Sequence, residues 1–298
     1  MKLLVTGGSG LLGGSIIRQA ISSGHEVCAT FHTHHSSQPG FVNIDLTESD
    51  AVKKLILIEK PEALIHTAAL TDVDICERDP AAALQINGFA TGNLSRICRR
   101  TGSFLIYVST DYVFDGSTGR YDESAVANPI NAYGTSKLIG EEQVASHCDD
   151  FCIVRTSVVY GWGREYRPNF ATWLYQSLRL GQKTAVVADQ YVSPTLNTQL
   201  ARMLLEVAER RLRGTLHLAG DQRVSRYEFA LQLAEKFSFD AKRIEAIQAS
   251  SSQWIARRPR DSSLNVLKAR SQLQNKPVNL AKALDVFASS NPSSSVQR

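Results

Sequence analysis

The chain opens on KLLVTGGSGLLGG, an apolar run of strand character that passes through a cluster of glycines into residues with helical spacing. No other feature restricts the fold as much. A strand that breaks on glycines and continues as a helix is the first half of a βαβ unit, and it demands further strand and helix alternation downstream. The glycines satisfy both GxGxxG (Gly8, Gly10, Gly13) and GxxGxxG (Gly7, Gly10, Gly13). Backbone without Cβ atoms lets a pyrophosphate approach the helix N-terminus, where unspent N–H groups and the helix dipole favour an anion. Gly7, Gly10 and Gly13, with Leu11 and Leu12 at the helix start, are the expected dinucleotide contacts.

The alternation is present. HEVCATF, FVNID, ALIHTAA, FLIYVST and CIVRTSVVYG read as further strands, with helix-compatible segments between most of them. The first helix places Leu12, Ile16 and Ala20 on one stripe, and the segment from Pro80 to about Arg100 starts with proline after Asp79, a sound helix entry. Further helices are expected around 198–212 and 225–237. The fold class is α/β: a Rossmann doubly wound parallel sheet with a smaller, discontinuous C-terminal substrate lobe. At 298 residues the chain exceeds the usual single-core size. The expected division is a nucleotide-binding domain over 1–154 with a return around 192–212, and a substrate lobe over 155–191 and 213–288. The serine-rich end, 289–298, reads as a disordered tail.

Composition excludes several function classes. Hydrophobic residues make up 43% and charged residues 21%, and no apolar run approaches the roughly 18 residues of a membrane helix. Glycines interrupt the apolar start and no cleavage site follows, so export is not expected. Five cysteines (Cys28, Cys76, Cys98, Cys148, Cys152) are odd in number and never spaced CxxC, which fits a cytoplasmic protein without a disulfide framework or zinc knuckle. The formal charge is +4, with basic residues dispersed except for RRLR at 210–213 and RRPR at 257–260. Nucleic acid is not an expected partner. A monomer or homodimer acting on a small molecule is.

The second strand should report the cofactor type. Sheets that prefer NAD carry an acid at its end for the ribose 2′-hydroxyl. Here the strand runs into Thr30, Phe31, His32, Thr33, His34 and His35. The missing carboxylate favours NADPH, with NADH as the alternative; Thr30, His32 or Thr33 can meet the 2′-phosphate and Phe31 lines the same turn. Asp45 and Leu46, after the third strand in NIDLT, are placed to touch the adenine edge, although Asp45 can equally cap a helix. The HTHH cluster lacks carboxylate or cysteine company, and no metal site is assigned to it.

Residues 133–137 read YGTSK, a tyrosine and a lysine about one helical turn apart on one face. Such pairs are commonly solvated helix surface. Seven stretches reverse that reading here: TGGSGLLG near the start, IHTAALTDVD at 65–74, VSTDYVFDG at 108–116, YGTSKLIGE at 133–141, RTSVVYG at 155–161, DQYVSPT at 189–195 and RRPRDSSL at 257–264. With these in this order, the chain resembles the extended short-chain dehydrogenase/reductase superfamily, and within it the dTDP-4-dehydrorhamnose reductases. It is also similar to the regulatory β subunit of methionine adenosyltransferase, which implies a different function: a non-catalytic NADP-binding partner protein.

The reductase resemblance implies NADPH-dependent reduction of a 4-keto-6-deoxy sugar nucleotide. It implies a catalytic set of Thr110, Tyr133 and Lys137, with Ala68 and Ala69 joining Tyr133 and Lys137 against the cofactor. The chemistry agrees. Hydride reduction of a ketone leaves an alkoxide that needs a proton, and a nearby ammonium stabilises the phenolate that gives it. Arg257, Arg258 and Arg260 are assigned to the nucleotide diphosphate, together with Asn169. Val158 stands where the reductases have a tryptophan against the sugar, and Val192 where they have a glycine; Trp162 is the candidate for a replacement sugar face, with a packing role as its ordinary alternative.

Overall fold

The computed structural model of the protein describes residues 1–33, 40–163 and 168–292. Six apolar runs become strands β1 (Lys2–Thr6), β2 (Glu26–Phe31), β3 (Phe41–Asn43), β4 (Ala63–His66), β5 (Phe104–Thr110) and β6 (Phe151–Thr156). All their pairings are parallel. The crossovers carry α1 (Leu11–Ser22), α2 (Ser49–Glu59), α3 (Val73–Arg78), α4 (Pro80–Ala83), α5 (Ala90–Thr101) and α6 (Ala132–His147). A parallel sheet covered on both faces needs apolar side chains on both, and β4 and most of β5 are accordingly buried along their length.

The rest of the chain builds β7 (Val159–Tyr160), α7 (Phe170–Arg179), β8 (Thr184–Val187), β9 (Tyr191–Val192), β10 (Thr195–Leu196) and α8 (Asn197–Arg210). It continues through β11 (Gly214–His217), β12 (Val224–Ser225), α9 (Arg226–Lys236), β13 (Ile244–Ile247), α10 (Leu267–Gln272) and α11 (Leu280–Ser289). The sheet order is β11-β6-β5-β4-β1-β2-β3. The direction of winding therefore reverses between β1 and β4, and the crevice at their carboxyl ends is where a ligand sits in such sheets. Apolar cores fill both faces of the sheet, and a separate core built around Tyr160, Leu174, Phe229 and Phe287 holds the smaller lobe.

Three sequence readings change. The return to the sheet extends beyond 212, because β11 pairs in parallel with β6 and α8 packs on α1. CIVRTSVVYG is two strands, since Val158 sits at φ +37°, a left-handed conformation that a β-branched residue rarely adopts. The helix from Pro80 is continuous to Thr101 but contains a π-helical turn over Leu84–Phe89. Of the expected tail, Ser289 closes α11 and residues 293–298 lie outside the described residues, as do His34 and His35 of the HTHH cluster. Among the described residues no helix is long and apolar enough to cross a membrane.

Candidate active site

The glycine turn forms one wall of the crevice. Gly7 has φ +70°, and a Cβ there would lie 2.8 Å from the Ala68 nitrogen, so the turn rests directly on the segment after β4. A Cβ at Gly13 would collide with the Gly7 carbonyl. Gly10 caps α1 without a side-chain hydrogen bond, which leaves the first-turn amides of a 12-residue helix for an anion. Ala68, Ala69, Leu11 and Leu12 are all partly buried around this opening. These residues fit a dinucleotide.

The adenine side is only partly as expected. Thr30 is 2% exposed, which corrects its expected use against a 2′-phosphate, and the Phe31 ring lies 6.4 Å from that of Phe41. His32 and Thr33 are exposed. Asp45 does not cap α2, whose N-cap is Glu48. Its Oδ1 accepts the Thr47 N–H at 2.9 Å and hydroxyl at 2.8 Å, which hold the carboxyl below its usual range. Its Oδ2 lies 3.7 Å from His32 Nε2, and Leu46 is partly buried beside it.

At the carboxyl end of β5 the expected catalytic set comes together. Thr110 Oγ1 accepts the Tyr112 N–H at 3.2 Å and so opens a short turn over Asp111–Val113. Asn131 caps α6 by accepting the Gly134 N–H at 2.8 Å, which places Tyr133 in the first turn and Lys137 one turn on. Tyr133 is partly buried and edge-on to Tyr112, with ring centroids 6.0 Å apart. Lys137 is buried. Its Nζ donates to the Val108 carbonyl at 2.8 Å and sits 4.1 Å from the Tyr107 ring centroid.

Burial dominates the charge states. It pulls Lys137 down to about 7, with the Glu141 carboxylate pulling the other way. It also pushes the Tyr133 phenol well above its usual range, against the Thr110 hydroxyl.

The support of this site was not foreseen. Glu141, one turn beyond Lys137, accepts Arg155 Nη2 at 2.7 Å, Arg155 Nε at 3.0 Å and the Ser109 hydroxyl at 2.6 Å, all buried. The π turn aims Asn87 at the 67–70 segment: its Oδ1 accepts the Leu70 N–H at 2.8 Å and its Nδ2 donates to the Leu70 carbonyl at 3.0 Å. Thr91 donates to the Asn87 carbonyl, so it accepts from His66 Nε2, and His66 Nδ1 accepts from Thr6 at 2.7 Å. Burial drives His66 down to about 3 and keeps this relay neutral.

On the substrate side the assignments separate. Arg257 and Arg260 are exposed, and their carbonyls accept from Asn131 Nδ2 at 2.9 Å and Tyr191 N at 2.8 Å, so their loop is strapped to the start of α6. Arg258 instead pairs with Asp74 at 2.9 Å under the Trp254 ring. Trp162 is corrected: it stacks on Phe287 and donates its N–H to the Phe287 carbonyl at 2.7 Å, which makes it core of the lobe and not a sugar face. Asn169 is the N-cap of α7, accepting from Ala171 and Thr172 and donating to the Gly161 carbonyl. Arg226 was missed; its Nε donates to Gln190 and its charge reaches Asp111.

Known proteins share this layout. Residues 1–291 match the family model described as the RmlD substrate binding domain. The chain is 34% identical over 280 residues to the probable low-salt glycan biosynthesis reductase Agl14 of Haloferax volcanii, covering 92% of both chains. It is 32% identical over 271 residues to methionine adenosyltransferase 2 subunit beta of Bos taurus, covering 89% of this chain and 80% of that one. It superposes with a TM-score of 0.87 and 27% identity on a dTDP-4-dehydrorhamnose reductase from Bacillus anthracis in complex with NADP, covering 97% of this chain and 99% of that one.

Proposed function

The chain belongs to the RmlD substrate binding domain family, and from that premise we propose that it is an NADPH-dependent reductase of a 4-keto-6-deoxy sugar nucleotide. The observation that carries this reading is the convergence of Thr110, Tyr133 and Lys137 at the carboxyl end of β5, beside a glycine turn open to a dinucleotide. A bound nicotinamide would supply the hydride. Tyr133 gives its phenolic proton to the oxygen that becomes the alcohol, and the phenolate left behind is stabilised by Lys137 in its charged form. Gly7, Gly10, Gly13 and Ala68 hold the dinucleotide, and His32 and Thr33, with no acid at the strand end, suit a 2′-phosphate. Arg257 and Arg260 meet the nucleotide diphosphate from the loop strapped to α6.

Purified protein mixed with NADPH and a dTDP-linked 4-keto-6-deoxyhexose should oxidise the cofactor, followed by its absorbance, and yield the 6-deoxyhexose nucleotide. Absence of turnover with dTDP- and UDP-linked ketosugars would refute the reading. The 32% identity to methionine adenosyltransferase 2 subunit beta favours one second reading, a non-catalytic NADP-binding regulatory subunit. NADPH binding without turnover, together with co-elution with a methionine adenosyltransferase, would support that reading instead.

A further inference from the structure

Lys137 must carry a charge for the reaction as described, in a place that disfavours charge. The residue is 2% exposed, and burial pulls it down to about 7. An ammonium has three N–H donors. Among the described residues one of them meets the Val108 carbonyl at 2.8 Å, and the Nζ stands over the Tyr107 ring, 4.1 Å from its centroid. That is well inside the roughly 6 Å over which the quadrupole of an aromatic ring holds a cation, and the attraction grows when the partners are desolvated. Tyr107 is fully buried, so water does not screen the contact.

The ring itself is fixed by its neighbours. Its hydroxyl donates to the Asn87 carbonyl at 3.2 Å, and a Cβ at Gly140 would lie 2.2 Å from that hydroxyl oxygen. Helix α6 therefore rests on one tyrosine twice, with the Lys137 ammonium over the ring and Gly140 over the hydroxyl. His66 packs on the same ring, with centroids 5.5 Å apart. Burial keeps that imidazole neutral, so it brings no second cation to the ring.

We propose that Tyr107 is a positioning residue that works through Lys137, the face of its ring holding the lysine as an ammonium near the carboxyl end of β5. The inference rests on the reductase reading, which gives Lys137 its task. Glu141, one turn on along α6, is the charged group that opposes burial, but its carboxylate is shared with Arg155 and Ser109. The Tyr107 ring carries no net charge and favours only the protonated amine.

The titratable groups around Lys137 are Glu141 and Tyr133 from α6, Tyr107 from β5, His66 from β4 and, through Glu141, Arg155 from β6. Asp111, which accepts the Ser157 and Ser262 hydroxyls, is a carboxyl beside Tyr133 and bears on the acid side. Burial pushes Tyr133 and Tyr107 upwards and leaves His66 neutral, so the loss of reduction as pH rises from neutral reports Lys137 first. Weakening the ring's attraction destabilises the ammonium, and that alkaline limb should move to lower pH.

The test is the pH profile of ketosugar nucleotide reduction in the full chain, from about pH 5 to 10, for wild type, Tyr107→Phe, Tyr107→Leu and chains with mono- or trifluorinated phenylalanine incorporated at position 107. Fluorine drains the ring face of electron density while the ring keeps its place. Tyr107→Phe should hold the wild-type limb, because the ring remains. The limb should fall stepwise with fluorination and by about one pH unit in Tyr107→Leu, the strength of a desolvated contact of this kind. A limb that stays put through the fluorinated series overturns the proposal, as does a Tyr107→Phe shift as large as that of Tyr107→Leu, which would assign the effect to the hydroxyl. If Tyr107→Leu does not fold, the fluorinated series decides alone. If wild type shows no reduction, the reductase reading has failed separately, and stability decides instead. Denaturant titrations against Lys137→Met counterparts locate the pH at which stability begins to rise, because above the folded lysine's value the unfolded chain binds the extra proton. That onset should be lower in the trifluorinated chain than in Tyr107→Phe, and an unchanged onset overturns the proposal.

Discussion

Glu141→Gln should destabilise the protein by about 3 kcal/mol and shift the charge state of Lys137 in the same stroke. The Glu141 side chain is 6% exposed and that of Arg155 9%, and the pair is joined by three N–H···O contacts between 2.7 and 3.2 Å. Removing one partner of a buried pair strands the other charge, at about 3–5 kcal/mol. The amide still accepts one N–H, and Arg155 keeps its place over the Phe114 ring, 5.1 Å from the centroid, so the lower end applies. For a chain of this length about 3 kcal/mol is roughly a 5 °C fall in Tm. The second effect is electrostatic. Glu141 is the group that raises Lys137 against burial, so without its charge Lys137 should be neutral over more of the physiological range. Thermal melts followed by circular dichroism measure the first effect and the pH dependence of kcat the second. Adding Arg155→Met should restore part of the lost stability, because it removes the stranded cation. A melt within about 1 °C of wild type would refute the account.

Three further outcomes are expected. Tyr133→Phe keeps the ring beside Tyr112 and removes only the proton, so kcat should fall roughly hundredfold while the NADPH Kd, read by fluorescence, is unchanged. Lys137→Met tests burial through linkage: the folded lysine is held to about 7 against an ordinary value of 10.5. Between those values the unfolded chain binds the extra proton, so wild-type stability should rise relative to Lys137→Met as pH climbs from about 7 to 10, by up to about 1 kcal/mol per pH unit in denaturant titrations. His32→Asp should weaken NADPH about tenfold and spare NADH in isothermal titration, since it sets a carboxylate against the 2′-phosphate.

The fold, and the placing of Tyr133 and Lys137 on one helix face, were legible because both depend on local chemistry. Gly7 and Gly13 are glycines on account of one close backbone approach and one helix contact, and Tyr133 and Lys137 share a face through a fixed helical repeat. What surrounds them was not legible, because it is assembled from distant segments. Asp111 and Ser262 lie 151 positions apart and Asn87 reaches Ser136 across 49, with a π turn that no periodicity announces. Trp162 was misplaced for the same reason: a tryptophan near a site has an indole N–H to satisfy, and only the fold shows that Phe287 takes it.

Arg258 carries the last consequence of this distinction. A run of three arginines reads as one anion site, but the fold divides it. Arg257 and Arg260 are exposed, whereas the Arg258 side chain is 12% exposed and bonded to Asp74, which also accepts the Ala256 N–H at 3.0 Å. If Arg258 braces the loop and does not itself bind phosphate, Arg258→Ala and Asp74→Ala should raise the KM for the sugar nucleotide by similar factors, with kcat and NADPH affinity little changed. The double variant should then be no worse than either single one, because both break the same contact. If Arg258 binds the diphosphate directly, Arg258→Ala alone should carry the larger KM effect and Asp74→Ala, which frees the guanidinium, should leave KM unchanged or lower it. Steady-state kinetics on the three variants separates the two, and additive KM effects would return Arg258 to the anion site.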